Sequence, residues 1–289
     1  MAIPIFDKNI KTLREFDSKL ADHLASMRGI KKFRRLFYSG IDGSATRATS
    51  DPTDIRLVGK FLGGCRSLNT KDTEVHWICT RGAARGFGNL FSLRESQYHI
   101  ELTGCDGNEA IVNGSFTPLK PEVDFSGYFT RLDKLRQRHS LPVTYSVMGH
   151  SVLCVFIGQQ HPGYDEFKET MGEIAQSLQQ ETGVEYRVKI HQRGIMLERA
   201  DKIGKDKAIS RIRQQKEQEI GLEIYGGDDE SDIAAQQMVY SEPHGFAYKI
   251  FSTREKLETA AASGPGNISG FIDGPEQWAR LIAMIAAAL

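Results

Sequence analysis

An interruption in its own pattern is what most constrains this chain. From about residue 10 to residue 116, apolar runs of strand length alternate with helical segments. From about residue 117 the order becomes α-β-β-α-β-β, and after residue 200 the alternation resumes. Alternating strands and helices specify a parallel sheet with helices packed on it. Paired hairpins with one helix each specify an antiparallel sheet covered on one face. The expected fold class is therefore α/β, with a Rossmann-like body from residues 1–116 and 201–289 and an inserted α+β module at 117–200.

Within the body, Leu13, Phe16, Leu20, Leu24 and Met27 predict one amphipathic helix over residues 10–28. Leu36-Phe37-Tyr38 predicts a buried strand that breaks into a turn at Asp42-Gly43. Asp51-Pro52 opens a helix carrying Leu57, Phe61 and Cys65. Val75 to Cys79 predicts a strand ending at Thr80, and Tyr98–Thr103 and Ala110–Val112 flank the turn Cys105-Asp106-Gly107-Asn108. In the insertion, strands are expected at 143–148, 151–157, 185–190 and 195–199, with turns at Gly149-His150 and Gln192-Arg193-Gly194. Helix from Lys205, strand Leu222–Tyr225, helix from Ser231, strand Ala247–Phe251 and a helix opened by Pro275 complete the chain.

Lysine plus arginine equal aspartate plus glutamate, 37 each, which argues against a general nucleic-acid partner. No apolar run approaches the roughly 20 residues of a membrane span. The four cysteines, Cys65, Cys79, Cys105 and Cys154, lack zinc-type spacing and read as reduced thiols of a cytoplasmic protein.

Chemistry concentrates where predicted strands end. Asp42, Ser44 and Thr46 follow the first strand, at the sheet edge where open α/β folds bind ligands. The run Tyr225-Gly226-Gly227-Asp228-Asp229-Glu230-Ser231-Asp232 ends a strand in glycines and opens a helix with acids. Acids favour a helix N-terminus, but three on one turn repel unless a cation such as magnesium joins them. Lys205 at a helix start is explained by an anionic ligand or by solvation. His150, Gln159, Gln160, His161, His191 and Arg193 fall at predicted turns of the insertion.

This order, strand-Asp-Gly, strand-Thr, helix-start Lys and strand-Gly-Asp-Asp-x-x-Asp, resembles the four motifs of the haloacid dehalogenase (HAD) superfamily. The insertion is similar to its C2-type cap, and the nearest family is the trehalose-6-phosphate phosphatases. The resemblance implies a magnesium-dependent phosphohydrolase acting on a phosphorylated sugar or polyol. It implies Asp42 as general acid/base, Thr80 as the hydroxyl holding the phosphoryl group, and Lys205 as its neutralising cation. Magnesium would be held by Asp42, Asp228, Asp229 and Asp232. Substrate contacts would come from Gly43, Ser44, Arg81, His150 and Arg193.

The chain departs from the pattern in two respects. The nucleophilic acid of the first motif is replaced by Gly40, which can neither attack phosphorus nor ligate a metal. The sugar-gripping Glu-x-Lys of the phosphatases falls near Ser146 and Met148, which cannot make those contacts. Three functions stay open: a phosphatase whose nucleophile is removed, a non-catalytic phosphosugar-binding or regulatory relative, and an enzyme of another class using the cap and Asp42.

Overall fold

A computed structural model describes residues 4–28, 30, 33–40, 44, 55–68, 72–78, 100–104, 107–112, 115–121, 123–139, 143–148, 152–191, 194–262 and 266–289. The chain opens with strand β1 (Ile5–Phe6) and helices α1 (Leu13–Phe16) and α2 (Ser18–Met27). The single helix expected over 10–28 is split at Asp17. Its backbone is extended and one carboxylate oxygen accepts from Leu20 N, so it caps a new helix instead of continuing the old one. Its other oxygen accepts from the buried Tyr248 hydroxyl at 2.9 Å, tying this cap to the core.

Next come β2 (Arg34–Ser39), α3 (Ile55–Leu68), β3 (Thr73–Ile78), β4 (Ile100–Gly104), β5 (Glu109–Val112) and β6 (Ser115–Pro118). The insertion contributes α4 (Ser126–His139), β7 (Thr144–Met148), β8 (Val152–Phe156), α5 (Tyr164–Thr182), β9 (Tyr186–His191) and β10 (Gly194–Arg199). The chain then returns through α6 (Lys205–Gln214) and β11 (Ile220–Gly227) to a 3₁₀ turn at Glu230–Asp232 and α7 (Ile233–Tyr240). It ends with β12 (Gly245–Ile250), α8 (Arg254–Ala262), β13 (Gly270–Ile272) and α9 (Pro275–Ala288).

Among the described residues, nine strands form one sheet in the order β1-β13-β12-β11-β2-β3-β4-β5-β6. Pairing is parallel from β1 to β4 in that order and antiparallel at β4-β5-β6. From the central β2 the chain winds outward to β3 and β4, and returns at β11 to wind the other way. The switch point therefore lies between β2 and β11, and the crevice at their carboxyl ends is where ligands bind in such sheets.

Side-chain alternation along β2 divides the core. Phe37 joins Phe61, Cys65, Trp278 and Ile282 under α3 and α9. Leu36 and Tyr38 join Ala208, Ile209, Ile212, Ala235 and Val239 under α6 and α7. The inserted strands form a separate antiparallel sheet, β7-β8-β10-β9. Its own core sets Leu132, Phe167, Met171 and Ile174 of the two helices against Leu153, Val155, Ile195 and Leu197.

The antiparallel edge β6 extends the main sheet to Pro118, inside the span expected for the insertion. β1 and β13 are additions that two- and three-residue apolar runs do not announce. Cys65 and Cys154 are buried reduced thiols, whereas Cys79 and Cys105 fall outside the described residues. Burial pushes the Cys65 thiol up to about 12, against a weaker opposing contact with Trp77. None of the described helices is long and apolar enough to cross a membrane.

Two separate cores predict separable responses to damage. Phe167→Ala, at a side chain with 0% exposure, is expected to cost about 3–5 kcal/mol. By hydrogen exchange, α5, β8 and β10 should lose protection while β2 and β11 keep theirs.

Candidate functional site

The crevice is built from the ends of β2 and β11 and the starts of two helices. Gly40 continues the ladder past β2, its N–H donating to Gly226 O at 2.9 Å. Its φ lies outside the left-handed region, so a side chain there meets no backbone strain. A Cβ at this position would sit 2.7 Å from Ser44 Oγ and 3.9 Å from Asp228 Oδ1. Gly40 thus points its missing side chain at the acids that follow β11.

Ser44 is fully buried and donates from Oγ to Asp228 Oδ1 at 2.9 Å. Burial pushes the Asp228 carboxyl up to about 7, with the Asp232 charge adding to it. The Ser44 hydrogen bond and Lys205 oppose the rise.

Asp232 is different. Its Oδ1 accepts from Lys205 Nζ at 2.7 Å and from the Tyr225 hydroxyl at 2.5 Å, and its Oδ2 accepts from Asp229 N at 2.9 Å. Burial alone would raise this carboxyl, but the Lys205 charge and these hydrogen bonds hold it below the usual carboxylate range. Gly227 makes room for it, because a Cβ there would lie 2.4 Å from Asp232 Cγ. Asp229 turns back to cap the 3₁₀ turn, its Oδ1 accepting from Glu230 N at 2.5 Å.

Lys205 and Lys249 supply the positive charge. Lys205 is buried at the first position of α6, preceded by Gly204 at φ 86°. Lys249, on β12 beside Gly227, donates from Nζ to Asp229 O at 2.9 Å. Burial lowers its ammonium pKa, against the raising effect of Asp232, Asp228 and Asp229. Sequence reasoning missed Lys249. The available signal was a lone lysine inside the apolar run Phe246-Ala247-Tyr248-Lys249-Ile250-Phe251.

The structure thus brings Gly40, Ser44, Lys205, Asp228, Asp229 and Asp232 together. Asp42, Gly43, Thr80, Arg81, His150 and Arg193 lie outside the described residues. Among the described residues, no group of three or more His, Cys, Asp or Glu side chains is arranged to hold a metal ion. Asp232 already accepts three protein hydrogen bonds, Asp229 caps a turn, and Gly40 has no carboxylate. The described residues alone do not fit magnesium, which leaves Asp228 as the carboxylate facing Gly40.

No family model and no curated protein matches the sequence. Solved structures do match. The C-terminal domain of Candida albicans trehalose-6-phosphate phosphatase aligns with a TM-score of 0.63 and 15% identity, over 99% of both chains. The C-terminal domain of the Candida albicans trehalose synthase regulatory protein aligns with a TM-score of 0.57 and 14% identity, over 92% of this chain and 97% of that one. A haloacid dehalogenase-like hydrolase from Bacteroides thetaiotaomicron aligns with a TM-score of 0.53 and 11% identity, over 86% and 98%. The fold is that of the haloacid dehalogenase-like hydrolases. In this HAD-like fold the parallel sheet is the Rossmann-like body and the four-stranded insertion is the cap.

The Asp228 environment gives a pH prediction. Its carboxyl binds a proton more tightly folded than unfolded, so stability falls as pH rises from the unfolded value near 4 through about 7. Asp228→Asn removes that penalty and leaves an acceptor for Ser44. In metal-free buffer the variant should be more stable than the parent at pH 8, by about 2–4 kcal/mol, with the gain shrinking to near zero at pH 4. Equal gains across that range in chemical denaturation would contradict the assignment.

Proposed function

We propose that this chain binds the phosphoryl group of a phosphorylated sugar or polyol in a phosphatase-type site that lacks its covalent nucleophile. The observation that carries the reading is Gly40 at the carboxyl end of β2, aimed at Ser44 and Asp228 with no side chain to react. Phosphoryl transfer depends on positioning and charge neutralisation. Both survive here in the buried Lys205, which donates to Asp232, itself fixed by the Tyr225 hydroxyl and the Asp229 backbone N–H. The attacking carboxylate does not. A role in binding or regulation is in keeping with the regulatory protein among the structural relatives.

The chain's own residues define what such a site does. Lys205 meets phosphate charge at a helix start, where backbone N–H groups favour an anion. Ser44 keeps one Asp228 oxygen occupied through its hydroxyl. With Ser146 and Met148 in place of a Glu-x-Lys pair, we do not assign trehalose 6-phosphate as the ligand. Magnesium, when bound to phosphatases of this fold, neutralises phosphate oxygens. In this chain its affinity should be weak because one carboxylate is missing.

A second reading has an observation of its own. A Cβ at Gly40 conflicts chiefly with the Ser44 hydroxyl, the far end of a side chain that can rotate, so the site keeps space for an acid. Gly40→Asp would then convert the binding site into a magnesium-dependent phosphohydrolase.

One experiment tests both readings. Parent and Gly40→Asp proteins are assayed for phosphate release over a panel of sugar phosphates, and for magnesium binding by calorimetry. The parent should bind a panel member, release no phosphate above background and show no micromolar magnesium affinity. Gly40→Asp should gain at least about tenfold in magnesium affinity from its added carboxylate. Robust magnesium-dependent turnover by the parent would overturn the proposal. Turnover by Gly40→Asp alone would establish the second reading.

A further inference from the structure

The cap joins the body on the outgoing side after β6, through residues 119–121, and on the returning side through residues 200–204 before α6. Both linkers are held by one residue of the β4–β5 turn. The Asn108 carbonyl accepts from Leu119 N at 2.8 Å and Lys120 N at 3.0 Å on the outgoing linker. The Asn108 side-chain Oδ1 accepts from Ile203 N at 3.0 Å on the returning one. Asn108 is 4% exposed. Beside it Gly107, at φ 103°, lies so close to the returning linker that a Cβ there would come within 2.9 Å of Gly204 O. Lys205 follows two residues after Ile203, and its ammonium is the group that meets phosphate in the proposed function.

A second tie crosses the linkers at their exposed end. Asp201 accepts the Arg199 fork at 2.8 and 3.1 Å and Lys120 Nζ at 3.0 Å. The Asp201 and Lys120 side chains are 43% and 26% exposed, and an exposed pair of this kind contributes little. The buried amide contact is the stronger constraint, because breaking it strands a part-buried backbone donor.

We propose that Asn108 is a positioning residue that couples the cap to the phosphate site. Through its side chain it fixes the returning linker, and through that linker it aims Lys205 at Asp232. Its main-chain contacts hold the outgoing linker at the same point, so cap orientation and Lys205 placement are set together. This rests on the reading of Lys205 as a phosphate contact. The linker geometry itself does not.

The test compares Asn108→Ala, Asn108→Ser and Asn108→Asp with the parent in the full chain. Readouts are hydrogen exchange of residues 200–205 and the affinity for inorganic phosphate by calorimetry. In Asn108→Ala the linker amides should exchange about tenfold faster and phosphate should bind about tenfold more weakly, the scale of one lost hydrogen bond to a buried group. Exchange in α5 and β11 should be unchanged. Asn108→Asp keeps the acceptor, so its linker amides should exchange more slowly than those of Asn108→Ala, while the buried carboxylate it introduces opposes phosphate binding by charge repulsion. Asn108→Ser, too short to span the contact, should follow Asn108→Ala and replaces it if that variant fails to fold. Unchanged linker exchange would overturn the proposal, and so would faster exchange with parent-like phosphate affinity. If the parent binds no inorganic phosphate, the reading of the site falls. The pin is then judged on exchange alone, exposed linker amides upholding it and protected ones overturning it.

Discussion

The parallel pairing of β2 with β11 is the interaction on which everything else in this molecule depends. It sets Leu36, Phe37, Tyr38 and Ser39 beside Glu223, Ile224, Tyr225 and Gly226, residues almost two hundred positions apart. A parallel pair cannot be closed by a tight turn, so the chain between them is free to build β3, β4, the antiparallel edge and the cap. The same pairing places the chain reversal between β2 and β11, and so places the crevice. Gly40 and Asp228 face each other because each continues one of these two strands.

Beneath the crevice the two strands are also joined by buried polar contacts. The Tyr38 hydroxyl donates to Glu223 Oε1 at 2.9 Å, and Arg213 forks onto the same carboxylate at 2.9 and 2.5 Å. Such groups are tolerated in a core only when their hydrogen bonds are made. Above them the Lys205–Asp232 pair follows the same rule. Two charges taken out of water gain little from each other unless further donors complete the site, and here Tyr225 and the Asp229 backbone do so. Removing Lys205 would leave Asp232 as an uncompensated buried charge. A charge-neutral replacement of the pair would cost less than either single loss.

The main outline was legible from the sequence because burial writes itself in period. Leu36-Phe37-Tyr38 and Ile224-Tyr225 are central strands buried on both faces, and they read as continuous apolar runs. The cap's helices were equally plain, with Leu132 and Leu135 on one and Phe167, Met171, Ile174 and Leu178 on the other at helical spacing. Edge elements were not legible. β1 is two residues long, β6 is exposed along its length, and β13 follows a glycine-rich stretch. Each is recruited by a neighbouring strand more than by its own propensity. Asp17 shows a similar limit: helical periodicity runs through it, and only its cap on Leu20 N and its bond to Tyr248 break the helix.

By itself the sequence determined which groups are available: an acid cluster after one strand, a helix-start lysine, and at residue 40 a glycine with no nucleophile. Spacing could bring Asp228, Asp229 and Asp232 onto one turn, but it could not say where each carboxylate points. Tertiary structure assigned them different work, Asp228 toward Gly40, Asp229 to a turn cap and Asp232 to Lys205. It also added Lys249 from β12 and tied both cap linkers to Asn108. The reason is physical. Residue type and local spacing set chemistry and secondary structure over a few ångströms of chain, whereas the direction of a buried carboxylate is set by donors from distant segments. Those donors arrive only when the sheet has assembled.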